Sequence, residues 1–264
     1  MNNTVNAAVL GLVEGITEFL PVSSTGHLIV AADLLNVRDT GGTFEIVIQL
    51  GAVLAVIVYY ARDLLGQAQA LPQRPEVRRL WLSIALAFLP AALLGFLFSD
   101  VITRYLFSPL TVAISLIVGG AVLWVIEGRT FPAQTTVLTQ VSPRQALLVG
   151  CAQCLALVPG VSRSASSIIG GLLTGLDRPT ATAFSFYLSI PTLGLATLYA
   201  LMKGRDVLGS TQVVPLLVGL GVSFVTALLA IGWLLRYVSR HDFRGFAVYR
   251  ILAGLAILGW ALWR

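Results

Sequence analysis

Two short stretches of this chain carry the side chains from which phosphate chemistry could be built. In the first, Glu14 and Glu18 stand four residues apart, followed by Ser23, Ser24, Thr25 and His27. In the second, Ser162, Arg163 and Ser164 follow Pro159-Gly160, with Ser166 and Ser167 one turn further on. A spacing of four puts Glu14 and Glu18 on one helix face. Neighbouring carboxylates repel unless a cation or a shared proton intervenes, and a hard divalent cation such as Mg²⁺ or Ca²⁺ would relieve that. The alternative is a pair of packing acids satisfied by hydroxyls. His27 can pass protons near neutral pH. It falls where a helix should start, and free N–H groups and the dipole favour an anion there. Arg163 can grip phosphate through two parallel hydrogen bonds. It could also neutralise Glu14 or Glu18, and one guanidinium can serve both ends. Glu45 and Gln49 form a second polar face at the same spacing, as cavity lining or as helix-helix hydrogen bonding.

The elements that must position these groups are apolar. Of the 264 residues, 57% are hydrophobic and 11% are charged, against about 25% charged in a soluble domain. Six runs are long enough to cross a bilayer: about 44–61, 80–98, 109–127, 181–202, 213–235 and 245–263. Ionisable groups inside such segments are costly and point to function. Two more apolar stretches, 5–35 and 145–176, are broken at Pro21–His27 and at Pro159–Ser164. Broken backbone at membrane depth is tolerated only where protein or a water-filled cavity satisfies its amides. Each stretch therefore reads as a re-entrant helix-loop-helix hairpin.

Charge placement supports that reading. Loop 62–79 carries Arg62, Arg74, Arg78 and Arg79 against Asp63 and Glu76, and loop 236–244 carries Arg236, Arg240 and Arg244 against Asp242. The positive-inside rule puts both in the cytoplasm. Six spans plus two hairpins satisfy that rule, and eight full spans do not. The expected fold is an all-α polytopic membrane protein with an inverted-topology repeat. Repeat one covers about 1–127 and repeat two about 144–264, as one membrane domain. Gly11–Glu14 aligns with Gly150–Gln153, Pro21, Ser24 and Thr25 with Pro159, Ser162 and Arg163, and Phe44 with Phe184.

Other features carry less. The net charge of +5 is dispersed between apolar runs, so nucleic-acid binding, which needs a basic patch, is excluded. The first thirteen residues hold no Lys or Arg, so a signal peptide is not expected. Cys151-x-x-Cys154 lies in an apolar helical run and reads as small-residue packing. His241 reads as solvated surface, and Arg250 as a residue snorkelling to the cytoplasmic interface. Gly171 and Gly175 form a small-xxx-small pair that could serve a homodimer or pack the hairpin internally.

Glu14-Gly-Ile-Thr-Glu18-Phe-Leu-Pro-Val-Ser-Ser-Thr-Gly-His27 resembles the first signature of the undecaprenyl-diphosphatase, or bacitracin-resistance, family. Pro159-Gly-Val-Ser-Arg-Ser164 resembles its second, and Phe44–Gly51 and the spacing of spans are also similar. The resemblance implies hydrolysis of undecaprenyl diphosphate to the monophosphate carrier lipid and inorganic phosphate, for reuse in cell-wall synthesis. It implies a bacterial inner-membrane location, a site open to the periplasm and a divalent cation. By motif position, Glu14 and Glu18 would be the acidic pair, Ser23, Ser24 and His27 the first catalytic loop, and Ser162, Arg163 and Ser164 the phosphate loop. One departure is Ala165-Ser166-Ser167 where the family usually continues Gly-Ala-Thr. Ser167 keeps a hydroxyl there, and Ala165 makes the backbone less free.

The expected mechanism has Ser24 attacking the terminal phosphorus with His27 as base and later acid. Glu18 orients His27 or holds the cation, and Glu14 completes the acidic site. Arg163, with Ser162, Ser164, Thr25 and Ser167, holds phosphate. Direct attack by His27 is a variant. The rival from another class is a lipid or small-molecule transporter, since inverted repeats and discontinuous helices are transporter features.

Overall fold

A computed structural model describes residues 3–37, 43–129, 131–203 and 213–263. Every regular element among them is helical, apart from one isolated bridge between Thr135 and Leu176. The helices are α1 (Thr4–Thr17), α2 (Ser24–Leu34), α3 (Thr43–Tyr59), α4 (Ala61–Ala70), α5 (Pro75–Leu106), α6 (Pro109–Glu127), α7 (Pro143–Gln153), α8 (Arg163–Leu173), α9 (Arg178–Lys203), α10 (Val213–Val238) and α11 (Arg244–Trp263). A 3₁₀ turn, Cys154–Leu157, extends α7. Helix starts follow local chemistry. Ser108 and Ser142 cap α6 and α7 through their hydroxyls, each with Pro at the first helical position, where no N–H is needed.

Five helices are long and apolar enough to cross a membrane: α5, α6, α9, α10 and α11. Helices α3 and α4 pass the same test together, as one bent pair. The chain is therefore a multi-pass α-helical membrane protein. Segment 62–79, expected as a loop, is instead helical over most of its length. Helix α4 turns away from α3 by 64° and has no buried residue, and α5 begins at Pro75, ahead of the expected apolar run. Charged side chains do not stop a helix, so a reading by apolar length ends spans too early.

The two broken stretches form helical hairpins, α1–α2 and α7–α8. Their packing is paired. Helix α1 lies on α10 as α7 lies on α5, α10 packs on α3 as α5 packs on α9, α6 packs on α11, and α3 meets α9. Exchanging α1 with α7, α3 with α9, α5 with α10 and α6 with α11 leaves this set unchanged. Two glycines show why the aligned positions match. A Cβ on Gly11 would lie 2.3 Å from the Gly219 carbonyl oxygen, and one on Gly150 would lie 2.3 Å from that of Ala87. Each first half-helix touches its neighbour backbone to backbone.

The hairpin tips match in backbone, one residue away from the sequence alignment. Ser23 and Ser162, at φ 72° and 78°, precede α2 and α8 respectively. Ser162 thus corresponds to Ser23, and Arg163 to Ser24, rather than to Ser24 and Thr25. Left-handed backbone is unfavourable for a non-glycine residue. Both carbonyls are held by the residue four positions on. His27 Nδ1 lies 2.7 Å from the Ser23 oxygen, and Ser166 donates its N–H and its hydroxyl to the Ser162 oxygen.

Candidate functional site

The two tips meet. Ser164 donates its hydroxyl to the Leu20 carbonyl at 2.7 Å, across from one hairpin to the other. Arg250, on α11, joins them. It is fully buried, and its guanidinium donates to the carbonyls of Pro21, Gly160 and Val161 at 3.1, 3.2 and 2.9 Å. The expectation that Arg250 snorkels to the interface is wrong. Snorkelling serves a charge without a polar partner nearby, and here irregular tip backbone offers acceptors that no helix uses.

At the junction, Glu18 accepts from both hairpins. The Ser24 hydroxyl donates to Oε2 at 2.5 Å, and Arg163 Nε donates to Oε1 at 3.2 Å. Both members of this ion pair are buried, at 6% and 9% exposure. The rest of the Arg163 fork is set by α9 and by the turn that follows α1. Nη1 donates to the Ser185 carbonyl at 3.1 Å, and the guanidinium lies over the Phe19 ring at 5.6 Å. Nη2 is buried without a partner. Glu14 is 1% exposed, its Oε1 has no hydrogen-bond partner, and Glu18, Glu45, Arg163 and Ser24 all lie within electrostatic reach.

His27 is placed differently from expectation. Its Nε2 pairs with the Tyr249 hydroxyl at 2.7 Å, and the two rings stack nearly parallel. A carbonyl only accepts, so a proton sits on Nδ1 facing Ser23; when the ring is neutral, its Nε2 lone pair takes the tyrosine proton. Neither ring nitrogen reaches Ser24 or Glu18 in this arrangement. Glu18 orients Ser24 and Arg163, not His27.

The phosphate-loop hydroxyls are also engaged. Ser162 Oγ accepts from Ala165 N–H and lies 3.0 Å from Ser164 Oγ. Ser167 donates to the backbone of α8 and pairs with Ser185 Oγ at 2.7 Å. These hydroxyls shape the Arg163 loop. Ala165 lies inside α8 with its N–H already capped, so a methyl there costs nothing in backbone freedom. By contrast, Ser23 makes no side-chain cap to α2. The first-turn N–H groups of α2 lack that hydroxyl partner, which suits an anion. Thr25, Glu45 and Gln49 are half-buried around the junction's first hairpin and α3.

Two weaker expectations resolve by packing. A Cβ on Gly171 would lie 2.7 Å from that of Ala181, and Gly175, at φ 85°, packs on Gln134. The pair is used inside the chain. Cys151 is exposed and Cys154 half-buried, and both are free thiols; Cys154 Sγ bonds the Gly150 carbonyl.

The family model described as bacitracin resistance protein BacA matches residues 7–256. The chain belongs to that family. Relatives named undecaprenyl-diphosphatase include one from Deinococcus radiodurans, 54% identical over 254 residues, covering 95% of this chain and 92% of the relative. One from Deinococcus deserti is 51% identical over 259 residues, covering 96% and 94%. One from Dechloromonas aromatica is 48% identical over 265 residues, covering 98% and 97%. Both signature stretches of this BacA family member thus fall in one buried junction. Tyr249, Ser185 and Arg250 complete that junction, and no reading of the two signatures alone includes them.

Proposed function

We propose that the protein hydrolyses undecaprenyl diphosphate to undecaprenyl phosphate and inorganic phosphate, recycling the carrier lipid for cell-wall synthesis. The observation that carries this reading is Glu18, which takes a hydrogen bond from a serine hydroxyl of one hairpin and from the guanidinium of the other. The names of the relatives point to the same activity. The setting would be a bacterial inner membrane, with the junction reached from the periplasmic side, as the charge rule applied to 62–79 and 236–244 implies.

The chemistry runs on this chain's own groups. Arg163 Nη2, the one buried fork nitrogen without a partner, and the α2 N-terminus hold the terminal phosphate. Ser24 Oγ attacks its phosphorus, and the hydroxyl proton passes to Glu18 Oε2 along the existing bond. The bond to the lipid monophosphate breaks, and that anion leaves without needing a proton. Water then attacks the phosphoserine, Glu18 returns its proton to Ser24 Oγ, and phosphate departs. His27 holds the Ser23 carbonyl and with it the backbone of the nucleophile. Proton transfer from Ser24 to His27 would first require the histidine to leave Tyr249.

A divalent cation, Mg²⁺ or Ca²⁺, fits the acidic end. Glu14 Oε1 is a buried carboxylate oxygen without a hydrogen-bond partner, beside Glu18. Among the described residues, no three His, Cys, Asp or Glu side chains close a cage. That suits a cation that takes one or two carboxylates and completes its shell on waters and substrate phosphates. Glu14 and Glu18 would hold it, and it would supply neutralising charge to the phosphoryl oxygens.

The test is phosphate release from undecaprenyl diphosphate by protein reconstituted in lipid. Arg163→Lys keeps the charge and loses the fork. It should cut release by roughly a hundredfold or more with the fold intact by thermal unfolding. Full activity in that variant would remove Arg163 from the site. The paired helix packing leaves transport as the second reading. Movement of the lipid across the bilayer without phosphate release would favour it.

A further inference from the structure

A cavity of about 550 Å³ lies between α5, the end of α7 and α9, with Arg163 at its edge. Phe88, Ala91, Leu157 and Leu193 give it apolar walls, and Gln153 and Thr192 stand among them. Gln153 is 2% exposed, and its Oε1 has no hydrogen-bond partner. The hydrogen-bond network fixes which way its amide points. Thr192 gives its single hydroxyl proton to the Leu188 carbonyl at 2.7 Å, so toward Gln153 it can only accept. The long 3.5 Å contact therefore takes Gln153 Nε2, and Oε1 is the free end. Arg163 and Gln153 thus both line this cavity, and each carries a buried polar atom without a partner, the donor Nη2 and the acceptor Oε1. Each left alone costs on the order of 1–3 kcal/mol, so one ligand offering both an anionic oxygen and an O–H would satisfy the pair.

We propose that Gln153 is a recognition residue for the diphosphate held by Arg163, accepting a hydrogen bond from a proton-bearing phosphate oxygen. This rests on the function proposed above. The residue's place in the fold supports it. Gln153 occupies on α7 the position that Glu14 occupies on α1, since Gly150 and Gly11, three residues before each, make the equivalent helix contacts. One half-helix therefore brings a carboxylate suited to a cation, and the other brings a neutral acceptor suited to an anion that carries a proton. A carboxylate at position 153 would repel the phosphate. The apolar walls beyond Gln153 would take the first prenyl units.

The experiment is calorimetric binding of farnesyl diphosphate to the full-length protein in detergent, in a Ser24→Ala background that blocks turnover. Adding Gln153→Glu should weaken binding by roughly tenfold or more, because a charged acceptor replaces a neutral one. Gln153→Leu keeps the size and removes the acceptor, and should weaken it by roughly three- to tenfold. Affinities of both double variants within twofold of the Ser24→Ala protein would overturn the proposal. A Ser24→Ala protein that binds farnesyl diphosphate no better after Arg163 is intact than after Arg163→Lys would instead overturn the reading of the site, and this proposal with it.

Discussion

Glu18 ties together the serine that would attack and the arginine that would hold the phosphate, so its charge is worth more than its shape. Glu18→Gln keeps an oxygen for Arg163 and loses the basicity that takes the Ser24 proton. It should lower kcat for phosphate release by roughly a hundredfold or more, measured on reconstituted protein. A kcat within about threefold of the parent would pass the proton to another group. The ionisable members of this site were legible, because a charge in an apolar run is expensive and stands out. Their partners were not. Tyr249 lies 222 residues from His27, and a tyrosine in an apolar helix carries no signal of its own. Arg250 did carry the signal, as a charge within an apolar helix. The interface explanation obscured it, because nothing in one sequence shows that three tip carbonyls lie around it.

At the scale of elements, the tips depend on close helix contacts and on Arg250. Gly150→Ala would set a Cβ 2.3 Å from the Ala87 carbonyl oxygen, so α7 must move off α5. A loss of roughly 1–3 kcal/mol is expected, read as a lower unfolding temperature in detergent. Gly66→Ala is the control, since a Cβ there meets nothing within 4 Å. It should be neutral or raise stability by up to about 1 kcal/mol through helix propensity. Equal melting of the two variants would contradict the backbone contact. Arg250→Met should cost roughly 3 kcal/mol or more by stranding buried carbonyls of both tips, again measured by thermal unfolding. The hairpins were legible as elements because Pro and Gly interrupt apolar runs. The one-residue register error arose because the sequence alignment rewarded matching side chains, whereas the tips match in backbone, at the positive φ of Ser23 and Ser162.

Over the whole molecule, the apolar spans carry two hairpins whose tips meet at one buried polar junction. Five of the spans followed from apolar length, while the bend between α3 and α4 did not, because charged residues continue the helix after the apolar run ends. The acidic end of the junction makes a whole-protein prediction. Chelation with EDTA should abolish phosphate release, and Mg²⁺ or Ca²⁺ should restore it, because Glu14 Oε1 is otherwise a buried oxygen without a partner. Unchanged release in EDTA would remove the cation from the account. The most direct test of the central claim compares the parent with Ser24→Ala in lipid vesicles carrying undecaprenyl diphosphate. The account predicts steady phosphate release by the parent and a fall to background with Ser24→Ala, whose hydroxyl is the one bonded to Glu18. Release by Ser24→Ala at the parent rate would contradict it.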